Sequence, residues 1–273
     1  MGKSNLRKAA VAGQFYPSSG VELKKQIESF IDKKAAKSDV YGCVLPHAGY
    51  IYSGPVAGYT VSQINIKDRI ILLGPNHTGY GTPFSIMTKG EWQTPLGEIA
   101  IDEELAKPLL AACENLQDDE LAHLYEHSLE VELPFLQYFK KDFKIVPIAV
   151  ASNNLVELKK VGEGIASVIS KLNIKDSVML VASSDMTHYE SQIEAEKKDK
   201  QAIEAILNLD EDGLMQRIRR FNITMCGYAP VVVMLSAVKL LGAKKGILAK
   251  YQTSGDITGD SSSVVGYAGI VIS

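Results

Sequence analysis

Residues 69–81 read RIILLGPNHTGYG and contain the two features that decide the fold of this 273-residue chain. The first five residues form a short, largely aliphatic run, which is typical of a strand buried on both faces of a sheet. The run passes at once into a glycine-rich turn that carries His77. A buried strand that ends in a polar turn predicts a parallel sheet with a binding site outside its carboxyl edge.

The same alternation of short apolar runs and longer helical patterns continues along the chain. It predicts an α/β fold with a mixed, largely parallel central sheet and helices on both faces. Strands, all apolar enough for burial on both faces, are expected at 41–45, 69–73, 144–150, 178–182 and 246–252. Helices are expected at 21–34, 103–112, 128–139, 155–172, 193–208 and 228–241. No linker rich in Pro, Gly or Ser interrupts the pattern, so one domain over residues 1–273 is expected.

Composition and charge limit the class of protein. The chain has 29 basic and 32 acidic residues, and its formal net charge is −3. This balance argues against nucleic acid as a partner, because phosphate binding needs a surplus of Lys and Arg on one face. No apolar run is long enough for a membrane helix, or for a secretion signal after the weakly basic start. Three scattered cysteines do not form a disulfide framework, so a reduced, cytoplasmic protein is expected.

Three of the predicted strands end in turns that carry imidazole groups. His47 follows strand 41–45 in PHAGY, and His77 follows strand 69–73. Asp185 and His188 follow strand 178–182 in SSDMTHY. Ligands of open α/β sheets bind outside the carboxyl ends of the strands, so these side chains are expected to meet in space.

Cys226 adds a sulfur ligand to this group of candidates. It lies in MCGYAP, just before the predicted helix 228–241, and Pro230 suits the first turn of that helix. The positive end of the helix dipole is expected to ease the loss of the thiol proton, which favours a thiolate ligand or a nucleophile. Cys43 and Cys113 are interpreted as packing residues.

Each metal-ligand candidate also has a structural interpretation. His47 could hydrogen-bond the backbone of its own loop, and Cys226 could be a small core residue. The glycine-rich turn at His77 could cradle a phosphate, although it lacks the Lys-Ser/Thr ending of a P-loop.

Two histidines are candidates for acid–base chemistry. Asp185 and His188 are three residues apart, so on a helical turn the carboxylate would orient the imidazole as a general base. The alternative is that Ser184 or Asp185 caps a helix. His127, in YEHSLEVELPFLQ, is interpreted either as an acid/base group beside the site or as a helix cap. His123 has no partner pattern and is expected at the surface.

Seven blocks of sequence carry a resemblance to a known family. The blocks are PHAGYIYSG, LLGPNHTGYG, TPLGEIAID, EHSLEVELPFLQ, VASSDMTHY, MCGYAP and GDSSSVVGYAG. With these blocks the chain resembles the Memo family, whose bacterial and archaeal members are often labelled AmmeMemoRadiSam system protein B. The resemblance runs from Gly13 to the carboxyl end and implies a fold similar to LigB-type class III extradiol dioxygenases, which are non-haem iron enzymes.

The resemblance also implies roles for individual residues. The metal ligands of the family correspond to His47, His77 and Cys226, and its Asp and His after the third strand correspond to Asp185 and His188. His127 falls in a region that supplies an acid/base group in the dioxygenases. Animal Memo proteins have been described as adaptors for phosphotyrosine peptides and as copper- or iron-binding redox proteins. At the peptide entrance those proteins have Trp, whereas this chain has Phe15.

One departure from the dioxygenases bears on the chemistry. They hold iron(II) with two His and one carboxylate, whereas a thiolate shifts preference towards Cu(I), Zn(II) or thiolate-bound Fe(II). Metal-dependent oxidation or oxygen chemistry on a small molecule is therefore expected, with iron or copper ahead of zinc. The alternative is a binding module for a phosphorylated or anionic peptide. A covalent hydrolase built on Cys226 and His188 is less favoured, because the nucleophile elbow is absent. The family's association with radical-SAM and AMMECR-type proteins suggests partners of those kinds.

Overall fold

Four parallel strands form the centre of a nine-stranded mixed sheet in the computed structural model, which describes residues 6–273. Residues 1–5, the start of the segment searched for a secretion signal, lie outside the described residues. The strands are β1 (Leu6–Arg7), β2 (Gly42–Leu45), β3 (Arg69–Pro75), β4 (Phe84–Ile86), β5 (Glu91–Thr94), β6 (Gly97–Ala100), β7 (Gln117–Asp118), β8 (Lys144–Val150), β9 (Val178–Ser183), β10 (His188–Glu190), β11 (Gly246–Thr253) and β12 (Val264–Ile272). The α-helices are α1 (Gly20–Phe30), α2 (Tyr50–Ser62), α3 (Glu103–Ala112), α4 (Leu133–Phe139), α5 (Leu155–Lys171), α6 (Gln192–Leu207), α7 (Glu211–Phe221), α8 (Tyr228–Leu241) and α9 (Gly255–Thr258).

The sheet is parallel in the middle and antiparallel towards its edges. Its order is β10-β12-β2-β9-β3-β8-β4-β7, and β11 pairs with β12 off this path. The neighbours β2, β9, β3 and β8 run parallel, whereas β12 is antiparallel to β2, β10 and β11. On the far side β4 is antiparallel to β8. A smaller sheet contains β1, β5 and β6. The predicted α/β fold with a mixed sheet is confirmed.

Two glycines locate helices on opposite faces of this sheet. A Cβ atom at Gly42 would meet the sulfur of Met234 in α8, and Gly42 is paired with Ile272. Three residues before Ile272, Gly269 faces the other side, because successive strand residues alternate between faces. A Cβ atom there would meet Thr60 of α2. Helices α8 and α2 therefore cover opposite faces, and both sit close to the backbone of the sheet.

Most predicted elements are present, with shifts of a few residues at their ends. Two of these elements are of the predicted type but differ in burial or in length. The strand at 246–252 was expected to be buried on both faces, but β11 is an edge strand, and its Ile247 and Leu248 are exposed. The helix expected over 128–139 is confined to Leu133–Phe139, where Pro134 suits the first turn. The segment before it is held in turns by buried polar side chains that bond to other parts of the chain.

Helix α2 was missed because its sequence contains Gly54, Pro55 and Gly58 and has no polar face. Both glycines have a packing reason. A Cβ atom at Gly58 would lie 2.7 Å from the Cβ atom of Phe30, and one at Gly54 would overlap the ring of Phe30. The glycines thus allow α1 to lie directly against α2, the helix that begins three residues after His47. Helix α7 and strand β12 were also not predicted.

Two further expectations concern the setting of the protein. Within residues 6–273, no helix combines the length and the apolar character needed to cross a bilayer. All three cysteines are free. Location in the cytoplasm and a single domain over the whole chain stay predictions.

We expect Gly58→Ala to lower the free energy of unfolding by about 1–3 kcal/mol, because the new methyl group overpacks the contact with Phe30. In a helix interior that allowed the side chain, the same change would stabilise by roughly 0.5–1 kcal/mol. Denaturant unfolding of the two proteins measures the difference.

Gly54→Ala is the matched comparison, since its new methyl group would meet only ring atoms of Phe30. In a double-mutant cycle, Phe30→Ala should relieve Gly54→Ala but not Gly58→Ala, because alanine keeps the Cβ atom and the backbone that obstruct position 58. Equal relief of both substitutions would contradict this packing scheme.

Candidate metal centre

The predicted convergence of three strand ends is present in the structure. Leu45, the last residue of β2, is paired with Ser183, the last residue of β9, and β3 lies on the other side of β9. The loops after these strands carry His47, His77 and Asp185 along one edge of the sheet. Cys226 reaches the same edge from the loop before α8, two residues ahead of Tyr228.

The nitrogen and sulfur atoms of His47, His77 and Cys226 form one cluster. Their candidate ligand atoms all lie within 4.8 Å of one another. Nε2 of His47 is 3.3 Å from Sγ of Cys226, and the rings of His47 and His77 are 5.2 Å apart. His47 is 2% exposed, whereas the side chain of His77 is 34% exposed. The cluster is therefore closed on the side of the sheet and open on the side of the His77 loop.

His47 is held on two sides by Ser183, at the end of β9, and by Asp185, in the loop that follows. Its Nδ1 atom lies 2.7 Å from the hydroxyl of Ser183, and its backbone N–H donates to Oδ1 of Asp185 at 2.8 Å. Burial, together with the neighbouring His77 and His127, lowers the pKa of His47 well below its usual range. The ring is therefore neutral at pH 7, and Nε2 is available as a ligand atom if Nδ1 carries the proton.

His77 is held by Glu126, a residue that the sequence motifs contained but our predictions did not single out. One carboxylate oxygen of Glu126 lies 2.9 Å from Nδ1 of His77, and the other accepts the His77 backbone N–H. Burial alone would raise the pKa of Glu126, but the hydrogen bonds and charge of His77 lower it to about 2. A carboxylate behind a ligating imidazole fixes the orientation of the ring and increases its basicity. The only sign of Glu126 in the sequence was its position directly before the candidate His127.

Cys226 occupies the predicted position, but the predicted effect on its proton is wrong. Burial and the nearby charge of Asp185 raise the pKa of the thiol, and these effects exceed any benefit from the helix end. The backbone N–H of Asp185 donates to the sulfur at 3.3 Å. The metal-free chain thus holds a neutral thiol, and a thiolate would form only as a cation displaced its proton.

His127 lies beside both candidate imidazole ligands. Its ring is stacked on that of His77 with centroids 4.7 Å apart, and it is 5.4 Å from the ring of His47. Phe15 covers it at 4.8 Å. Burial lowers the pKa of His127, so the ring is neutral at pH 7 and could accept a proton. His127 lies before α4 rather than opening it, so the helix-cap alternative is excluded.

Asp185 and His188 do not have the relationship predicted for them. Residues 185–187 are irregular and His188 begins β10, so the two side chains do not share a helical turn. Asp185 accepts hydrogen bonds from the backbone of His47 and Ala48, and Nδ1 of His188 pairs with the carbonyl of Thr224 at 3.0 Å. Burial raises the pKa of Asp185 to about 6, and the charge of His188 opposes that shift. The carboxylate therefore acts on His188 through charge, while Thr224 sets the orientation of the ring.

The interpretation of His123 as a surface residue is wrong. The side chain is fully buried, Nε2 lies 3.1 Å from the carbonyl of Ser85, and the ring meets Trp92 edge-on. Burial lowers its pKa to about 4, which keeps it neutral. It is a core histidine outside the cluster.

A buried ion pair fastens the amino-terminal segment over the centre. Glu130 is fully buried and bonds to Arg7, to the hydroxyl of Tyr16 and to the backbone N–H groups of Ala10 and Val11. The same segment carries Phe15, which packs on His127. Sequence analysis did not identify Glu130, because sequence alone does not reveal partners more than a hundred residues away.

The donor set fits a transition-metal ion. In tetrahedral sites with metal–nitrogen and metal–sulfur bonds of 2.0–2.3 Å, ligand atoms are roughly 3.5 Å apart, close to the observed separation of His47 Nε2 and Cys226 Sγ. Each histidine also has a hydrogen-bond partner on the nitrogen that faces away from the cluster, as ligating histidines usually do. Three ligands would leave positions open for water or substrate.

Comparison with known proteins gives the same family that the motifs indicated. A family model described as Memo-like protein matches residues 7–271. The chain is 44% identical to a MEMO1 family protein of Methanopyrus kandleri over 279 residues, which cover 97% of this chain and 98% of that protein. It is 45% identical to a relative in Methanosarcina barkeri, over 98% of this chain and all of that protein, and 43% identical to one in Methanocaldococcus jannaschii, over 98% and 99%. The chain belongs to the Memo family.

Proposed function

We propose that this Memo family protein binds iron or copper, with zinc as a third choice, through His47, His77 and Cys226, and uses it in oxidation or oxygen chemistry on a small molecule. The observation that carries the proposal is the cluster of three ligand atoms from three separate loops within 4.8 Å. When bound, iron or copper would supply a change of oxidation state and open coordination positions, whereas zinc would supply only the open positions. The residues around it supply orientation, charge and proton transfer.

The surrounding side chains divide these tasks. Ser183 and Glu126 orient the two imidazoles, and Asp185 fixes the loop of His47. His127, neutral and packed against His77, is positioned to take up or release a proton on the open side of the cluster. We assign His188 the same kind of role, with Asp185 as the nearby negative charge.

The composition of the surrounding loops supports a small molecule as substrate. Phosphorylated and carboxylate ligands are usually held by Lys or Arg. Five loop segments around the cluster contain no Lys or Arg and several acids, and Phe15 stands where the animal proteins have tryptophan. This composition gives no support to an anionic peptide as ligand. Partner proteins of the radical-SAM and AMMECR types stay a prediction. The loop segments are residues 46–53, 76–83, 119–128, 184–191 and 224–230.

A covalent hydrolase receives no support from the contacts of the cysteine. The sulfur of Cys226 faces Nε2 of His47 rather than His188, and burial raises the pKa of the thiol. A nucleophilic cysteine needs a lowered pKa or an adjacent base that is free to act.

The first test is metal uptake. The metal-free protein should bind about one equivalent of Zn(II), and Cys226→Ser should release about one proton fewer than the wild type on binding, because serine holds no displaceable thiol proton. Calorimetric titration in buffers of different ionisation enthalpy measures both quantities. Since the thiol is protonated before binding, its contribution to affinity should increase with pH. Uptake below about a tenth of an equivalent of Zn(II), Fe(II) and Cu(I) would remove the proposed centre.

The second test separates His188 from the ligand set. His188→Ala should leave metal affinity within roughly 10- to 100-fold of the wild type, since the side chain acts beside the ion rather than on it. His77→Ala, which removes a proposed ligand, is the comparison and should lose far more affinity. Complete loss of binding in His188→Ala would make it a ligand and our assignment wrong.

The third test addresses oxygen chemistry. Protein loaded with Fe(II) or Cu(I) should consume O₂ slowly in an oxygen electrode, because a three-ligand site leaves positions open. Simple catechols should not be opened rapidly, since Cys226 replaces the carboxylate ligand of the dioxygenases. Loaded wild type is compared with His47→Ala given the same metal. Identical traces, together with retention of a phosphopeptide after chelation, would favour a binding module instead.

A further inference from the structure

A buried chain of hydrogen bonds continues behind His47 and ends at a carboxyl group. Ser183 is fully buried, and its hydroxyl oxygen has three close polar neighbours. These are Nδ1 of His47 at 2.7 Å, the carbonyl oxygen of Ser128 at 2.7 Å and Oε1 of Glu132 at 2.8 Å. Glu132 is also fully buried.

The number of protons in this group fixes the role of each member. A serine hydroxyl has one hydrogen to donate and two lone pairs with which to accept. The Ser128 carbonyl can only accept, so it needs the single hydrogen of Ser183. His47 must then donate from Nδ1, which leaves the lone pair of Nε2 facing Cys226. An ionised Glu132 would compete with Ser128 for the same hydrogen, and two acceptor oxygens would face Ser183 with one hydrogen between them.

The surroundings of Glu132 also disfavour a charge. Its second oxygen, Oε2, is buried and has no hydrogen-bond partner, and among residues 6–273 no ion pair reaches this side chain. An uncompensated buried carboxylate is far more costly than a neutral acid, so such groups take up a proton. Burial raises the pKa of Glu132 well above its usual range; the hydrogen bond from Ser183 acts against this shift, and the charge of Asp185 adds to it.

We propose that Glu132 is a neutral carboxylic acid at neutral pH and donates a hydrogen bond to the hydroxyl oxygen of Ser183. Ser183 then accepts a second hydrogen bond from His47 and holds it in the tautomer with hydrogen on Nδ1. Glu132 is a positioning residue that acts through Ser183, and Nε2 of His47 is kept free to bind a metal. The inference deepens the proposed function in naming His47 as a ligand, but the hydrogen-bond chain exists without any ion. It can therefore be tested on metal-free protein.

Infrared spectroscopy of metal-free protein at pH 8 tests the proton on Glu132. The neighbouring Asp185 is also a buried acid, so the measurement has to distinguish glutamate from aspartate. We expect a carbonyl band of a protonated carboxylic acid that moves when glutamate is labelled with ¹³C, which separates it from Asp199, another buried acid. The band should be absent in Glu132→Gln. If Glu132→Gln instead removes a carboxylate band, or if no labelled acid band is present, the proposal is wrong.

Nitrogen NMR of the histidine side chains tests the effect on His47, first in the wild type and then in variants at positions 132 and 183. The His47 signals, assigned by their loss in His47→Gln, should show hydrogen on Nδ1 in the wild type. Glu132→Gln should keep this tautomer, because the amide N–H₂ can replace the acid as donor to Ser183. Ser183→Ala should mix the two tautomers and lower Zn(II) affinity by about 10- to 100-fold. Hydrogen on Nε2 in the wild type would overturn the proposal.

These outcomes are distinguishable from a failure of the proposed function. A protein that shows the labelled acid band and the Nδ1–H tautomer, yet takes up no metal, would support the hydrogen-bond chain and refute the metal centre. Full metal binding with an ionised Glu132 would support the metal centre and refute the hydrogen-bond chain.

Discussion

Hydrogen bonds between the parallel strands β2 and β9 pair Leu45 with Ser183, and the rest of the centre depends on that register. It brings the turn of His47 beside the turn of Asp185, while β3 delivers His77 from the other side of β9. A slip of one residue in either strand would turn its side chains to the opposite face and remove Ser183 from Nδ1 of His47. The cluster is thus a product of strand pairing, and the loops supply only the final placement of the ligand atoms.

The segment between His123 and Leu133 supports this arrangement with three buried acids that have different partners. Glu126 is ionised and holds His77, and Glu130 bonds to Arg7 and the amino-terminal segment. Glu132, by our proposal, is neutral and faces Ser183. Glu126 and Glu132 differ in charge because of their neighbours. The imidazole and backbone N–H groups around Glu126 favour its charged form, whereas burial without such donors disfavours a charge on Glu132. One short segment of chain therefore contacts His77 directly, reaches His47 through Ser183, and holds the amino-terminal segment that carries Phe15.

Sequence reasoning was sufficient for the parts that depend on local pattern. Apolar runs with imidazoles after them identified the central strands and the grouping of His47 and His77, whereas Cys226 was added from its position before a helix and from the family resemblance. Helix α2 could not be found in this way, because its glycines are required by close packing against Phe30 on another helix. The predictions for the contacts of Asp185, the burial of His123 and the pKa of Cys226 were wrong for one reason. Each property depends on burial and on partners that are distant in the chain. The spacing of three residues between Asp185 and His188 would place them on one face only in a helix, and the backbone is not helical there.

The three candidate ligands come from widely separated parts of the chain, and this has a consequence for folding. A metal ion cannot gather them in an unfolded chain without closing long loops, which is slow and entropically costly. The sheet must therefore assemble first, in contrast to small metal-dependent domains that fold only around their ion. The hydrogen bonds of Ser183, Glu126 and Asp185 already hold the site together in the metal-free chain. If the proposed ion binds there, its loss would leave a preformed site rather than unfold the protein, and the ion would be exchangeable in the folded chain.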